Sequence, residues 1–115
     1  MTRRKSKIGY KCVREWNGKW YSVAVTKPAK VEYHLNMETV PNQPFGPLCV
    51  FKSLRTAEFF RQNIIFYPKD KIILKVKYIP SNQEIVWDNV STDKLQSLPE
   101  GTILADSVTP IKVIK

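Results

Sequence analysis

The sequence contains few of the residues from which catalytic and metal sites are most often built. It has one histidine, two cysteines and four glycines among its 115 residues. Cys12 and Cys49 lie far apart in the chain, and because no CxxC spacing occurs, they do not suggest a zinc site. The glycines are dispersed, and neither a GxGxxG nor a Walker pattern is present. We therefore predict no metal and no cofactor, and two free buried thiols, with one disulfide as the alternative.

Acidic residues are also scarce. The chain has ten Asp and Glu against nineteen Lys and Arg, a formal net charge of +9. Residues 1–80 hold sixteen basic and five acidic side chains (+11), whereas residues 81–115 hold three basic and five acidic ones (−2). A positive field of this kind attracts polyanions such as nucleic acid, nucleotide phosphates or acidic protein surfaces. The charge alone does not choose among these partners.

Long apolar runs are missing as well. No stretch approaches the roughly 18 uninterrupted apolar residues of a membrane span, and the N-terminus lacks the apolar core of a signal peptide. We therefore predict a cytoplasmic protein, or one that acts in the cytoplasm of a host, with no membrane partner. The hydrophobic fraction of 43% is enough for one core at this length. The expected organisation is a flexible basic arm over residues 1–7 and a single domain over residues 8–115.

A β-hairpin near the N-terminus is the clearest local signal. The Asn17-Gly18 pair favours a type I′ turn because both residues tolerate positive φ. A two-residue loop fixes the register, which places Trp16 opposite Lys19, Arg14 opposite Tyr21, Cys12 opposite Val23 and Tyr10 opposite Val25. We expect one face of the hairpin to meet the core: Tyr10, Cys12, Arg14 and Trp16. We expect the other face to be half-solvated: Lys11, Val13, Glu15, Trp20 and Ser22.

The rest of the chain is typical of a sheet with one good helix. Alternating or short apolar runs predict strands over residues 30–35, 48–51, 71–78, 84–88, 103–108 and 111–114. Ser53 is a good N-cap, and the apolar spacing after it predicts the main helix over residues 54–62. A short helix is predicted over residues 91–97, and Pro110 is expected to break the last two strands. The fold class is a sheet-dominated α+β domain of about six to eight mostly antiparallel strands.

Lysines alternate with apolar residues along the predicted strand over residues 71–78. Lys71, Lys75 and Lys77 share one face of it, with ammonium groups spaced by multiples of about 7 Å. If this face is open, it can follow a phosphate backbone; the alternative is an edge strand whose charges prevent aggregation. The N-terminal arm can reach along a polyanion, or serve only as a solubilising tail. The predicted polyanion-binding residues are Arg3, Arg4, Lys5, Lys7, Lys69, Lys71, Lys75 and Lys77.

Two tryptophans flank the hairpin turn. Trp16 and Trp20 have Lys19 between them and Arg14 nearby, so the tip could stack nucleobases while its cations contact phosphate. The alternative is local, because a Trp16–Lys19 pair and a Trp20–Glu15 pair would stabilise the hairpin by themselves.

The single histidine offers one weak route to catalysis. His34 shares a strand face with Glu32, two residues away, close enough for a hydrogen bond. Such a pair can form part of an acid–base apparatus, although a solvated strand face has the same composition. The cysteines sit at apolar positions, which raises the pKa of a thiol and argues against a Cys–His nucleophile. We predict no catalytic residue, and the chain is expected to be non-enzymatic.

One segment resembles a known family. GPLCVFKSLRTAEFF combines a glycine, a hydrophobic strand, Phe-x-Ser and a helix, and KIILKVKYI follows as the next strand. Residues 46–79 are in this respect similar to the central strand–helix–strand block of ADP-ribosyltransferase-like domains. The resemblance implies a nucleotide-binding fold with Arg14, Tyr10 and Ser53 near a cleft. The late catalytic Glu of the family has no counterpart here, so a related site would be degenerate or repurposed.

Three functions are compatible with these patterns. The first is a small basic, non-enzymatic module that binds a phosphate-bearing partner, nucleic acid before nucleotide. The second is the nucleotide-binding domain that the resemblance implies. The third is a protein-interaction or inhibitor module that docks on an acidic protein surface, with the proline-rich loop over residues 41–47 as the contact. The composition is also similar to that of small accessory proteins of phages and bacteria.

Overall fold

The described part of the chain is one closed sheet, one helix and one small additional sheet. A computed structural model describes residues 5–22, 31–42, 46–63, 71–87, 92–94, 98 and 101–114. The elements are β1 (Lys7–Trp16), β2 (Lys19–Tyr21), β3 (Glu32–Tyr33), β4 (Leu48–Phe51), α1 (Leu54–Asn63), β5 (Lys71–Pro80), β6 (Ile85–Trp87), β7 (Thr92–Lys94) and β8 (Thr102–Val113). The predicted sheet-dominated α+β class is confirmed.

Closure of the main sheet defines the architecture. Its order is β3–β2–β1–β4–β8–β5, and β1 also pairs with β5, so the strands form a small barrel. All the pairings are antiparallel. The barrel encloses one apolar cluster, which includes Val13, Val50, Leu74, Val76 and Val108. β6 and β7 form a separate two-stranded sheet.

The N-terminal hairpin has the predicted register and turn. Arg14 pairs with Tyr21 and Trp16 with Lys19, and the turn residues have the expected positive φ, 52° at Asn17 and 75° at Gly18. The predicted pairings of Cys12 and Tyr10 with residues 23 and 25 lie outside the described residues.

The predicted half-solvated face of β1, however, is wrong, whereas Cys12 on the predicted core face is buried. Val13 is fully buried in the barrel and Lys11 is only 8% exposed, although this face was expected to be half-solvated. Because the sheet closes on itself, the Val13 face becomes the barrel interior. Tyr10 on the opposite face packs instead in a second cluster outside the barrel, with Phe51 and Ile73.

Helix α1 covers that second cluster. Its start is capped as predicted, because the backbone N–H of Thr56 donates to Ser53 Oγ at 3.2 Å. Ala57 is fully buried against the sheet, and Phe60 stacks at a tilt on Phe51 with ring centroids 5.1 Å apart. Phe59 points away from the sheet and is 66% exposed. The helix therefore buries part of the outer surface of β1, β4 and β5.

The last strand is continuous, which corrects the predicted break at Pro110. β8 runs through the proline, and its pairing with β5 skips one residue there: Lys75 pairs with Lys112 and Val76 with Pro110. A proline is tolerated at such an irregularity because the local ladder does not need its missing N–H. The Pro110 carbonyl accepts a hydrogen bond from the backbone N–H of Asn36 at 2.7 Å.

The predicted short helix over residues 91–97 is also wrong. Thr92–Lys94 forms β7, which pairs antiparallel with Ile85–Trp87. A short polar segment has only a weak helical preference, and backbone pairing with an available strand outweighs it. The strand predicted over residues 30–35 is shorter in the structure, where β3 covers only Glu32–Tyr33.

The segment that follows β3 is attached to the barrel at Thr39. Thr39 and Val108 exchange two backbone hydrogen bonds, of 2.8 and 2.9 Å. This bridge joins the segment after β3 to the edge of β8 that β5 does not occupy. The segment therefore follows β8 as an additional short column of the barrel wall.

Candidate polyanion-binding site

The outer surface of β5 and β8 gathers cations beyond the part of the sheet that α1 covers. Val76 and Tyr78 point into the barrel, so Lys75, Lys77 and Ile79 point outward, since successive strand residues alternate. The pairing register places Lys75 opposite Lys112, Lys77 opposite Thr109 and Ile79 opposite Ser107. These six residues therefore form two neighbouring outward columns.

The Lys75–Lys112 pair is electrostatically unfavourable without a counter-charge. Like charges directly opposite each other on neighbouring strands are destabilising. Lys77 lies two residues further along, about 7 Å from Lys75. Among the residues that the structure describes, no carboxylate lies within ion-pair distance of Lys75, Lys77 or Lys112. The positive potential of this group is therefore left for solvent ions or a ligand.

A groove of about 550 Å³ adjoins these cations. Its polar lining comes from two ammonium groups, three aliphatic hydroxyls and one carboxylate: Lys5, Lys77, Ser6, Ser107, Thr109 and Glu38. Its apolar lining includes Ile79. Ammonium and hydroxyl groups are donors that suit phosphate oxygens.

Backbone pairing of three neighbouring strands and one loop segment positions this lining. Lys77 on β5 pairs with Ile8 of β1 on one side and with Thr109 of β8 on the other. The Thr39–Val108 bridge then places Glu38 beside β8. With about 4.8 Å between neighbouring strands, the four columns span about 14 Å. The groove therefore rests on the backbone pairing of β1, β5 and β8, and the β5–β8 register has an irregularity on either side of Lys77.

Lys71 points outward from the barrel as predicted, but it is covered by α1 and does not belong to this open surface. It is only 7% exposed, and its ammonium group donates to the carbonyl oxygen of Arg61 at 2.7 Å. Arg61 is in the last turn of α1, where carbonyl groups have no partner within the helix. The lysine row is therefore interrupted, because α1 covers one end of β5.

The remaining predicted cations have mixed positions. Lys5 lines the groove. Lys7 is exposed at the start of β1 and pairs with the inward-pointing Tyr78, so it belongs to the opposite strand face from Lys77. Arg3, Arg4 and Lys69 lie outside the described residues.

The two tryptophans at the hairpin tip do not form one stacking platform. Trp16 is opposite Lys19 on one face, whereas Trp20 is opposite Glu15 on the other. Trp16 is 52% exposed, and the Arg14 guanidinium lies 5.6 Å from its ring centroid. Trp20 packs against the barrel core, and its indole N–H donates to Glu15 Oε2 at 3.2 Å. Trp20 therefore stabilises the hairpin through its pairing with Glu15, as the alternative interpretation predicted. Of the two tryptophans, only Trp16 has an exposed ring.

The His34–Glu32 pair has the predicted proximity. His34 Nε2 and Glu32 Oε2 are 2.6 Å apart, with the histidine about half exposed. The described residues include no cluster of three His, Cys, Asp or Glu side chains suited to a metal ion.

The cysteines are both free, and no disulfide joins them. Burial raises the pKa of the Cys12 thiol, and this outweighs the opposite effect of the nearby Lys11, Lys71 and Arg61 charges. The thiol form therefore predominates at neutral pH, which makes Cys12 a poor nucleophile.

Some residues of the groove and of the neighbouring cation group were not identified from the sequence. Lys112, Thr109 and Glu38 carry no motif, and their proximity to Lys77 depends on strand pairing across the barrel. Lys112 was detectable as a cation in an apolar strand, but nothing local indicated its partner. Lys11 was also missed as a buried cation. Its ammonium group donates to the Cys49 carbonyl oxygen at 2.6 Å and lies 5.2 Å from the Tyr33 ring centroid.

Comparisons with protein-family models, with curated proteins and with solved structures found no match to this chain. Within the described residues, no helix is long and apolar enough to cross a lipid bilayer.

Proposed function

We propose that this protein is a small non-enzymatic module that binds a phosphate-bearing partner, nucleic acid first and nucleotide second. The observation that carries the proposal is the group of Lys75, Lys77 and Lys112. These cations share one outward face, two of them lie directly opposite each other, and no described carboxylate lies within ion-pair distance of them. A bound polyanion relieves the electrostatic repulsion between Lys75 and Lys112, and this relief adds to the binding free energy.

The groove extends this contact surface. Lys5 and Lys77 supply ammonium donors at its wall, and Ser6, Ser107 and Thr109 supply hydroxyls. Four lysines can each contact one phosphate of a single-stranded nucleic acid: Lys5, Lys75, Lys77 and Lys112. The logarithm of the association constant then falls with the logarithm of the salt concentration with a slope of about −3. A partner with only one or two phosphates, such as a nucleotide, gives a shallower slope of about −1.

The test is a titration of a fluorescent single-stranded oligonucleotide at two salt concentrations. We expect clear binding at the lower concentration and a weakening with salt at the slope given above. Lys77→Gln should weaken binding and reduce the magnitude of the slope by about 0.7. Absence of binding at the lower salt concentration would remove the proposal.

A matched control separates the groove from net charge alone. Lys19→Gln removes one positive charge at the hairpin tip, opposite Trp16. Since Lys77 pairs with Ile8, the two lysines are separated by eight residues along β1, about 27 Å. If Lys19→Gln weakens binding as much as Lys77→Gln does, the contact is not localised to the groove.

The two other functions stay predictions. Of the residues that the family resemblance places near a nucleotide cleft, Ser53 caps α1 and Tyr10 packs in the outer cluster. Millimolar NAD should raise the melting temperature if that function is correct, because a specific ligand stabilises the folded state. An acidic protein partner would be recovered by pull-down from nuclease-treated extract, which removes nucleic acid as the bridging ligand.

A further inference from the structure

The carboxylate in the basic groove suggests a more specific ligand, and this inference rests on the proposed function. Glu38 is exposed and lines the same groove as Lys5 and Lys77. No hydrogen bond or ion pair joins its side chain to another described residue. A carboxylate repels phosphate, so its place in a phosphate-binding groove requires a different contact.

The carboxylate of Glu38 can form hydrogen bonds only with donor groups of a ligand. An ionised Glu only accepts hydrogen bonds. A nucleic acid offers two kinds of donor to it, the exocyclic amines and N–H groups of bases and the hydroxyl groups of ribose. An acidic side chain beside a phosphate-binding site can accept from a ribose 2′-hydroxyl, as in dinucleotide-binding sites. The 2′-hydroxyl is also the group by which proteins distinguish RNA from DNA.

The geometry places the carboxylate to one side of the phosphate contacts. Lys77 and Thr109 lie on neighbouring strands in the middle of the groove, and Glu38 lies on the next column beyond β8. A backbone that runs along the lysine columns with its sugars toward β8 brings those sugars beside the Glu38 column. Ile79 adds an apolar contact to the lining of the groove. We propose that the groove binds single-stranded RNA in preference to DNA, with Glu38 accepting a hydrogen bond from a ribose 2′-hydroxyl.

The test compares oligouridylate with oligodeoxyuridylate of equal length, since these differ only in the 2′-hydroxyl and their base has no exocyclic amine. For the wild-type protein at low salt we expect the RNA to bind about tenfold more tightly, the gain of a hydrogen bond to a charged group. In Glu38→Ala the ratio should fall to about one, while DNA binds as tightly as before or more tightly because a repulsive charge is gone.

Glu84→Ala is the matched control. Glu84 is exposed after β5 and does not line the groove. Its removal should change the affinity for RNA and DNA together and leave their ratio unaltered. Equal wild-type affinity for the two oligonucleotides, or a ratio that Glu38→Ala does not change, overturns the inference and leaves the proposed function standing. If neither oligonucleotide binds, the proposed function fails, and this inference fails with it.

Discussion

The two ends of β5 each carry an outward-pointing lysine, and they have opposite environments. At the first end, Lys71 and Ile73 point outward from the barrel, yet both are buried because α1 packs over them. At the other end, Lys77 points outward from the same strand face and is exposed beside a groove. A lysine in the first position completes the hydrogen bonding of a helix end, whereas a lysine in the second is available to a ligand.

This comparison shows why a row of charges on one strand is an ambiguous signal. The alternation of residues along a strand predicts which of them share a face, but it does not predict which other element covers that face. Here one helix of ten residues divides the row into a structural part and an open part. Substitutions at the covered and at the open end of β5 can test this division.

The largest effect is expected at the covered end. Ile73 is fully buried between β5 and α1, so Ile73→Ala should reduce the free energy of unfolding by about 3 kcal/mol, through lost burial and the cavity left behind. Urea denaturation followed by tryptophan fluorescence measures this loss. A change below about 1 kcal/mol would mean that α1 does not pack on β5 as described.

The next effect separates the two lysines. Lys71→Gln should reduce the free energy of unfolding by about 1–2 kcal/mol, because a buried charged donor to the Arg61 carbonyl is lost. Lys77→Gln should change it by less than about 0.5 kcal/mol, as expected for an exposed residue.

Binding should show the reverse order. Lys77→Gln should reduce the salt dependence of oligonucleotide binding, whereas Lys71→Gln should leave it unchanged once the protein is folded. Denaturation and salt titration on the same two variants provide both measurements. If Lys71→Gln reduces the salt dependence as Lys77→Gln does, Lys71 contacts the ligand and the division of the strand is wrong.

The smallest effect is a dependence of stability on alkaline pH. Cys12 is buried opposite Ile73 at the covered end, and burial raises the pKa of its thiol. The unfolded chain therefore loses this proton before the folded one does. The corresponding stabilisation is fully present below the ordinary thiol pKa of about 8.5 and is lost as the pH rises through the raised value.

Cys12→Ala tests this dependence. The free energy of unfolding of the wild type should fall more steeply above about pH 8.5 than that of the variant. Part of the decline should persist in the variant, because burial also raises the pKa of Tyr78 at the other end of β5. Identical slopes for the two proteins would show that the Cys12 thiol ionises in the folded state as it does in the unfolded chain.

Local patterns predicted the local elements well. Asn17-Gly18 predicted the hairpin turn and its register, and Ser53 predicted the start of α1, since both depend only on residues close in sequence. The interior face of β1 and the continuity of β8 through Pro110 were predicted wrongly. Both depend on the closure of the sheet, which brings together strands from opposite ends of the chain.

The candidate site was only partly visible for the same reason. Lys75 and Lys77 were identified from their alternation, and Lys5 from the basic arm. Lys112 and Glu38 became part of the site because β8 pairs with β5 and with the segment at Thr39. The sequence could not distinguish the buried Lys71 from the exposed Lys77. The alternation along a strand does not indicate which part of the strand a helix covers, and α1 covers Lys71.

By itself, the sequence determined the positive charge, the sheet-dominated class, the turn at Asn17-Gly18 and the cap at Ser53, because each is set by composition or by neighbouring residues. Only the tertiary structure decided which strand faces are interior, which lysine is buried, and which cations and carboxylate share a groove. The physical reason is that burial and electrostatic proximity are properties of distances in space. Those distances are fixed by barrel closure and by the packing of α1 on β5.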